Sequence, residues 1–216
     1  MKVFEMLIPL VMEGLIITLG VFLVTLVFSI PLSILVALMR KSKSTFLSKI
    51  IGIYIYIMRG TPLLLQLMFI FFGYHYIPKI GYALGRYQAI FIAFILNYTA
   101  YFAEIFRGGI ASIDIGQYEA AKVLGFSNSY TFMEIILPQV MKNVLPSIGN
   151  EVITLVKDTS LVYILGVSDI LKAARAASNT YSTFTPFIFV GIVYLIIIAI
   201  LTKLLDGIEL RFEYYR

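Results

Sequence analysis

The 216-residue chain is 60% hydrophobic and 13% charged, with a mean hydropathy of +0.94 and a net charge of +5. Soluble domains are roughly 45–50% apolar and about 25% charged, so one core of this size could not bury so many apolar side chains, and disordered and collagen-like classes are excluded. With no cysteine, disulfide frameworks, thiolate catalysis and thiolate metal sites are excluded as well.

The charges sit between long apolar runs. Gly14 to Met39 carries no formal charge over 26 residues and is bracketed by Glu13 and Arg40. A helix needs about 20 apolar residues to cross a bilayer core, so this run is a span; it lacks an A-x-A cleavage signal and is too long for a signal-peptide core, and is read as retained. Gly60 to Pro78 is a second run, extended backwards past Arg59 to Ile50; Tyr87 to Ala103 is a third, and Pro186 to Thr202 the last. Val144 to Gly166 is apolar but interrupted by Glu151, Lys157 and Asp158. The expectation is an all-α membrane protein with one transmembrane domain over 1–216 and five spans, about 12–39, 50–78, 87–107, 144–166 and 186–205.

Lysine and arginine set the orientation. Ten fall on one side, in the connections after the first and third spans and in the tail; five fall on the other, and Arg59 and Lys157 lie within spans. By the positive-inside rule the N-terminus is outside and the C-terminus cytoplasmic. The basic balance therefore reports topology, and no nucleic-acid-binding motif accompanies it.

The cytoplasmic connection, about 108–143, has helix punctuation. Asp114 or Gly116 can start a short helix through Gln117, Glu119, Ala120, Ala121, Lys122 and Leu124. Gly125 ends it, Ser127 caps the next helix, and Pro138 interrupts that second helix. Within the connection stands the complete string E-A-A-x3-G-x9-I-x-L-P, from Glu119 to Pro138. That string resembles the EAA loop of permease subunits of bacterial ABC importers. Arg59-Gly60-Thr61-Pro62-Leu63-Leu64, the segment Tyr101 to Ile110, and Lys157-Asp158-Thr159-Ser160-Leu161 look like the polar amino-acid branch of that family, the histidine, glutamine and arginine type. The motifs cover the second to fourth spans and most of the loop; the first and fifth spans match only in hydropathy and position.

The resemblance implies a type I ABC importer permease fold with cytoplasmic coupling helices in the bacterial plasma (inner) membrane. It also implies a separate ATPase dimer, a second permease chain (an identical copy or a paralogue) and an extracytoplasmic solute-binding protein. Gln117, Glu119, Ala120, Ala121 and Gly125 would couple to the ATPase. The small side chains of Ala120 and Ala121 allow close approach to a groove, and Glu119 offers a carboxylate to a basic partner or to the loop's own amides. The chain contains no G-x-x-x-x-G-K-[ST] phosphate loop, so ATP and magnesium are expected on the partner subunit, and no cofactor, metal site or catalytic residue is expected here.

Ionisable groups inside a membrane are costly and functional by default. Asn97, Tyr101, Glu104 and Gly108 fall on one stripe of the third span, and Glu151, Thr154 and Asp158 on one stripe of the fourth. Asn97, Tyr98, Glu104, Lys157, Asp158, Thr159 and Ser160 form the expected substrate site. Its two carboxylates would take an α-ammonium and a basic side chain, and the amide-rich start at Thr159–Ser160 would hold a carboxylate. Glu104 could instead be consumed by Arg107, and Asp158 by Lys157 or Arg59. Arg59, Gly60, Thr61 and Pro62 are the expected helix break or gate, because Pro62 removes a donor and Gly60 relaxes the helix. Ser168 to Ser178 reads as a short outer-surface helix near the docking place of a binding protein. His75 reads as an interfacial packing residue.

The function expected is ATP-driven uptake of a polar amino acid by alternating access, leaning to arginine, lysine or histidine. A self-contained secondary transporter or channel for small polar solutes is the alternative. An intramembrane enzyme ranks last, since no H-E-x-x-H or comparable constellation is present.

Overall fold

A computed structural model describes residues 2–73 and 84–212; His75 and the outer end of the second expected span lie outside them. Among the described residues the chain is helical throughout. Helix α1 (Lys2–Arg40) contains the first expected span and α4 (Arg86–Ala111) the third. The second expected span is two helices, α2 (Thr45–Gly60) and α3 (Leu63–Phe72), which meet at 106°. The cytoplasmic loop holds α5 (Ile115–Val123) and the single turn α6 (Asn128–Tyr130), followed by a π-helical segment, Thr131–Ile136. Helix α7 (Leu137–Asp158) runs on into a 3-10 segment, Thr159–Leu165. A shorter helix, α8 (Ile170–Tyr181), leads to α9 (Thr185–Phe212).

Among the described residues α1, α4 and α9 are each long and apolar enough to span a membrane, and the bent α2–α3 pair makes a fourth. The interrupted run at 144–166 is helical, but Glu151, Lys157 and Asp158 lie on α7. The count of five therefore rests on a helix whose own composition does not mark it as a span.

Helix α4 is central: 61% of its most apolar window is buried against protein, compared with 6% for α9, whose apolar surface is left for lipid. Helix α1 packs most extensively on α4. Buried small residues on both helices (Thr25, Ser29, Ser33 and Ala37 on α1; Ala89, Ala93, Ala100 and Ala103 on α4) permit close backbone approach, the usual solution where lipid is as apolar as the side chains. Phe94, Tyr98, Phe102 and Phe106 fill the core from α4, with Val140, Val144, Val152 and Leu155 of α7. A second cluster joins Leu7 and Val11 of α1 to Ile170, Ala173, Ala174 and Ala177 of α8. There the Asp169 carboxylate caps α8, accepting from the amides of Leu171 (3.1 Å) and Lys172 (3.0 Å).

Pro138 does not end the helix; it occupies its first turn, where a missing N–H costs little. The irregularity appears just upstream as the π-helical segment, the displacement a proline ring imposes on the preceding turn.

Candidate functional site

The break between α2 and α3 follows from Pro62. In a continuous helix the Met58 carbonyl would accept from the residue-62 amide, and proline has none. Two side-chain amides take its place: Gln66 Nε2 donates to Met58 O at 2.9 Å, and Asn97 Nδ2 donates to the same oxygen at 3.0 Å. Gln66 Nε2 also reaches Thr61 Oγ1 (2.7 Å) and Thr61 O (3.1 Å), while the Thr61 hydroxyl donates to Ile57 O at 2.8 Å. Asn97 Nδ2 donates to Gln66 Oε1 at 3.0 Å. Every carbonyl named here has a donor, so the bend is satisfied inside the protein, as backbone at membrane depth requires.

The bend forms one wall of a cavity of about 170 Å³. Thr61, Pro62 and Leu63 line it from the break, Asn97, Tyr98 and Tyr101 from α4, and Glu151, Thr154 and Asp158 from α7. Tyr98 is buried and donates its hydroxyl to Asp158 Oδ2 at 2.8 Å. The Thr154 hydroxyl is turned back to Asn150 O at 3.0 Å. Two carboxylates thus face a space that no lysine or arginine lines among the described residues. Such a site suits a ligand rich in N–H donors and positive charge.

Of the expected substrate residues, Asn97, Tyr98 and Asp158 come together in this cavity. Glu104 does not: it makes a bidentate pair with Arg107 (2.9 and 2.6 Å) and lies 3.9 Å from Arg59 Nη1. It faces a separate, larger space of about 610 Å³ with Arg40, Arg59 and Arg107. The i,i+3 spacing on one helix face favours that pairing. Arg59 also stacks over the Tyr101 ring, 5.4 Å from its centroid. Lys157 is exposed and does not line the smaller cavity.

The expected helix start at Thr159–Ser160 is absent. Asp158 makes no side-chain cap, and the Thr159 amide bonds back to Leu155 O and Lys157 O. The buried Thr159 hydroxyl bonds back to Val156 O at 2.6 Å. Ser160 continues the 3-10 turn, which ends at Gly166 with φ +76°. Asp, Thr and Ser also bond backwards to their own helix, and here that choice leaves no exposed amides for a carboxylate.

Sequence reasoning placed Tyr101, Glu151 and Thr154 on polar stripes without assigning them to the site, and passed over Gln66. The signal for Gln66 was an isolated amide in the apolar run Leu63 to Phe72, one helical turn beyond the proline.

The knob built from α5 and α6 follows its sequence closely. Asp114 Oδ1 accepts from the Gly116 amide at 2.6 Å and starts α5. At its other end Gly125 adopts φ +78°. Its amide bonds to Lys122 O (3.1 Å) and the Phe126 amide to Ala121 O (3.0 Å), the paired bonds of a Schellman cap. Ser127 Oγ accepts from the Tyr130 amide at 3.2 Å. Gln117, Glu119, Ala120 and Gly125 are exposed. Ala121 is not, so only one of the two alanines is open to a partner. Ile115, Val123 and Leu124 are each more than 70% exposed, an apolar surface of the kind that marks contact sites.

Comparison with known proteins agrees with this anatomy. A family model described as the binding-protein-dependent transport system inner membrane component matches residues 29–214. The arginine transport system permease protein ArtQ of Bacillus subtilis is 36% identical, over 95% of this chain and 94% of that one. The putative glutamine transport system permease protein GlnP of Rickettsia bellii is also 36% identical, over 92% and 91%. A solved structure of an amino acid ABC transporter with histidines superposes with a TM-score of 0.85 at 34% identity, covering 94% of each chain. An inward-facing structure of the MetNI methionine ABC transporter, 17% identical over 97% of each chain, shares the fold with a TM-score of 0.72.

Proposed function

This chain belongs to the binding-protein-dependent transport system inner membrane component family, and from that premise we propose that it passes a basic amino acid into the cytoplasm. It is a multi-pass membrane subunit of an amino-acid ABC importer, not an enzyme. The observation that carries the substrate reading is the cavity at the α2–α3 break, where among the described residues Glu151 and Asp158 stand without a lining lysine or arginine. At an effective dielectric of about 20, opposite charges 4 Å apart attract by roughly 4 kcal/mol before desolvation is subtracted. Even the part that survives desolvation separates a cationic from a neutral side chain, since about 1.4 kcal/mol is tenfold in affinity. The relative named for arginine transport supports this reading. Relatives named for glutamine transport favour a second one, a neutral amide substrate with one carboxylate serving the α-ammonium.

In this reading a binding protein delivers the amino acid at the outer face, near α8. Two copies of the permease chain enclose the path, each with its N-terminus outside. A separate ATPase dimer, carrying ATP and magnesium, seats on the knob of Gln117, Glu119, Ala120, Ala121 and Gly125 and drives alternating access. Arg59 to Pro62 form the break that shapes the cavity. Reconstitution into proteoliposomes with and without the ATPase subunit tests the whole scheme. ATP-dependent uptake of arginine in preference to glutamine is expected. Uptake without the ATPase would support a secondary transporter instead, and a preference for glutamine would select the second reading.

A further inference from the structure

Asn97 lines the cavity, yet its side chain is already held from behind. Nδ2 donates to Met58 O (3.0 Å) and to Gln66 Oε1 (3.0 Å). The sense of this amide follows from its partners. Met58 O is a carbonyl and can only accept, so Asn97 must present its nitrogen there. Gln66 is fixed by the same logic, because its nitrogen lies against the carbonyls of Met58 and Thr61, leaving Oε1 to accept from Asn97. Both side chains are at least nine-tenths buried, and neither amide can turn over without setting like groups against each other. The end of Asn97 left for a ligand is Oδ1, an acceptor.

We propose that Gln66 is a specificity-determining positioning residue: by accepting the second hydrogen of the Asn97 amide, whose first is held by the Met58 carbonyl, it completes the lock that makes the cavity wall of α4 accept hydrogen bonds. Glu151 and Asp158 on α7 are acceptors as well. At this wall the cavity thereby favours ligand groups that only donate, such as an ammonium or a guanidinium. It disfavours a side-chain amide, whose carbonyl would meet an oxygen. Gln66 does this without lining the cavity itself. The root cause is Pro62, which leaves the Met58 carbonyl to be filled from the side.

The inference rests on the reading of this cavity as the substrate site, and the experiment separates the two. Binding of arginine and glutamine is measured by equilibrium dialysis on the purified complex of this permease with its ATPase. The comparison covers the parent, Asp158→Asn, Gln66→Met and Gln66→Glu. Asp158→Asn tests the site: unchanged arginine binding in that variant overturns the site reading and this inference with it. Gln66→Met removes one of the two acceptors that hold Asn97 and leaves the amide held through the Met58 carbonyl alone. The ratio of arginine to glutamine affinity should fall about tenfold, the scale of one or two hydrogen bonds. Gln66→Glu keeps an oxygen that accepts from Asn97, and should keep the ratio within about threefold of the parent. A role confined to stability would weaken both ligands together and leave the ratio alone. If Asp158→Asn weakens arginine but Gln66→Met leaves the ratio at the parent value, Gln66 does not set specificity. Gln66→Leu removes the same amide and repeats the test if Gln66→Met is not recovered folded.

Discussion

Gly125 offers the sharpest test of the knob, because its conformational role can be separated from its size. Its φ of +78° lies in the left-handed region, and a Cβ built on it meets nothing within 4 Å. A side chain there would cost backbone strain and no packing. For an L-residue that strain is about 1–2 kcal/mol, which corresponds to roughly a 5- to 30-fold change in an equilibrium. Helix α5 has nine residues and little stability of its own, so the strain would fall on the two cap bonds, Gly125 N–H to Lys122 O and Phe126 N–H to Ala121 O. Losing them re-aims Phe126 and the exposed apolar end of α5. Gly125→Ala should therefore weaken ATPase association about 5- to 30-fold and lower ATP-driven uptake. Gly125→Leu should abolish uptake or detach the ATPase, with membrane insertion intact. Gly125→Asn should stay near the parent, since asparagine tolerates this conformation. The assay is co-purification and uptake in proteoliposomes, with ATP hydrolysis measured in parallel. Fully coupled transport by Gly125→Leu would refute the coupling role, and equal behaviour of the alanine and asparagine variants would refute the backbone argument.

The same geometry sets further expectations. Glu104→Gln should leave arginine binding nearly unchanged while Glu151→Gln and Asp158→Asn reduce it at least about tenfold, because Glu104 is engaged by Arg107 outside the small cavity; binding isotherms on the purified complex decide. Gly14→Ala would place a Cβ 2.6 to 2.8 Å from backbone atoms of Asp169 and Ile170, so it should cost about 1–3 kcal/mol as overpacking, read as a lower thermal midpoint. Burial raises the Asp169 carboxyl above its usual range, against the opposing bonds from Lys172 and Leu171. Its stabilising contribution is therefore present at low pH and is lost as pH rises through the raised value. Asp169→Asn keeps one of the two accepting oxygens and turns an NH2 group against the other amide, so its thermal midpoint should fall at neutral pH; an unchanged midpoint would contradict this. Pro62→Ala supplies an N–H that competes with Gln66 and Asn97 for the Met58 carbonyl; it should relax the bend and lower uptake, measured in proteoliposomes.

The residues that act over one or two turns of chain were legible in order. Asp114, Gly125 and Ser127 punctuate the knob because caps and left-handed turns depend on local backbone chemistry. The uncharged runs that became α1, α4 and α9 announced membrane helices because a bilayer core tolerates few charges over about 20 residues, whether a helix faces lipid or protein. The break at Arg59 to Pro62 was visible for the same reason: proline removes its donor wherever it stands.

Its 106° angle was not visible, because the angle depends on which distant groups fill the Met58 carbonyl, and these prove to be Gln66 and Asn97. Glu104 and Asp158 looked alike on their stripes. The i,i+3 spacing offered Glu104 to Arg107, and packing set Asp158 against the Tyr98 hydroxyl, 60 positions away. At Thr159 the sequence permitted either a new helix start or a backward bond, and the chain took the second where the 3-10 turn buries that side chain completely. Sequence by itself determined the helices, their caps and the family of the chain, because those depend on spacing and solvent. Tertiary structure decided which polar groups share a cavity and which cancel one another, because hydrogen-bond partners at membrane depth are chosen among residues dozens of positions apart.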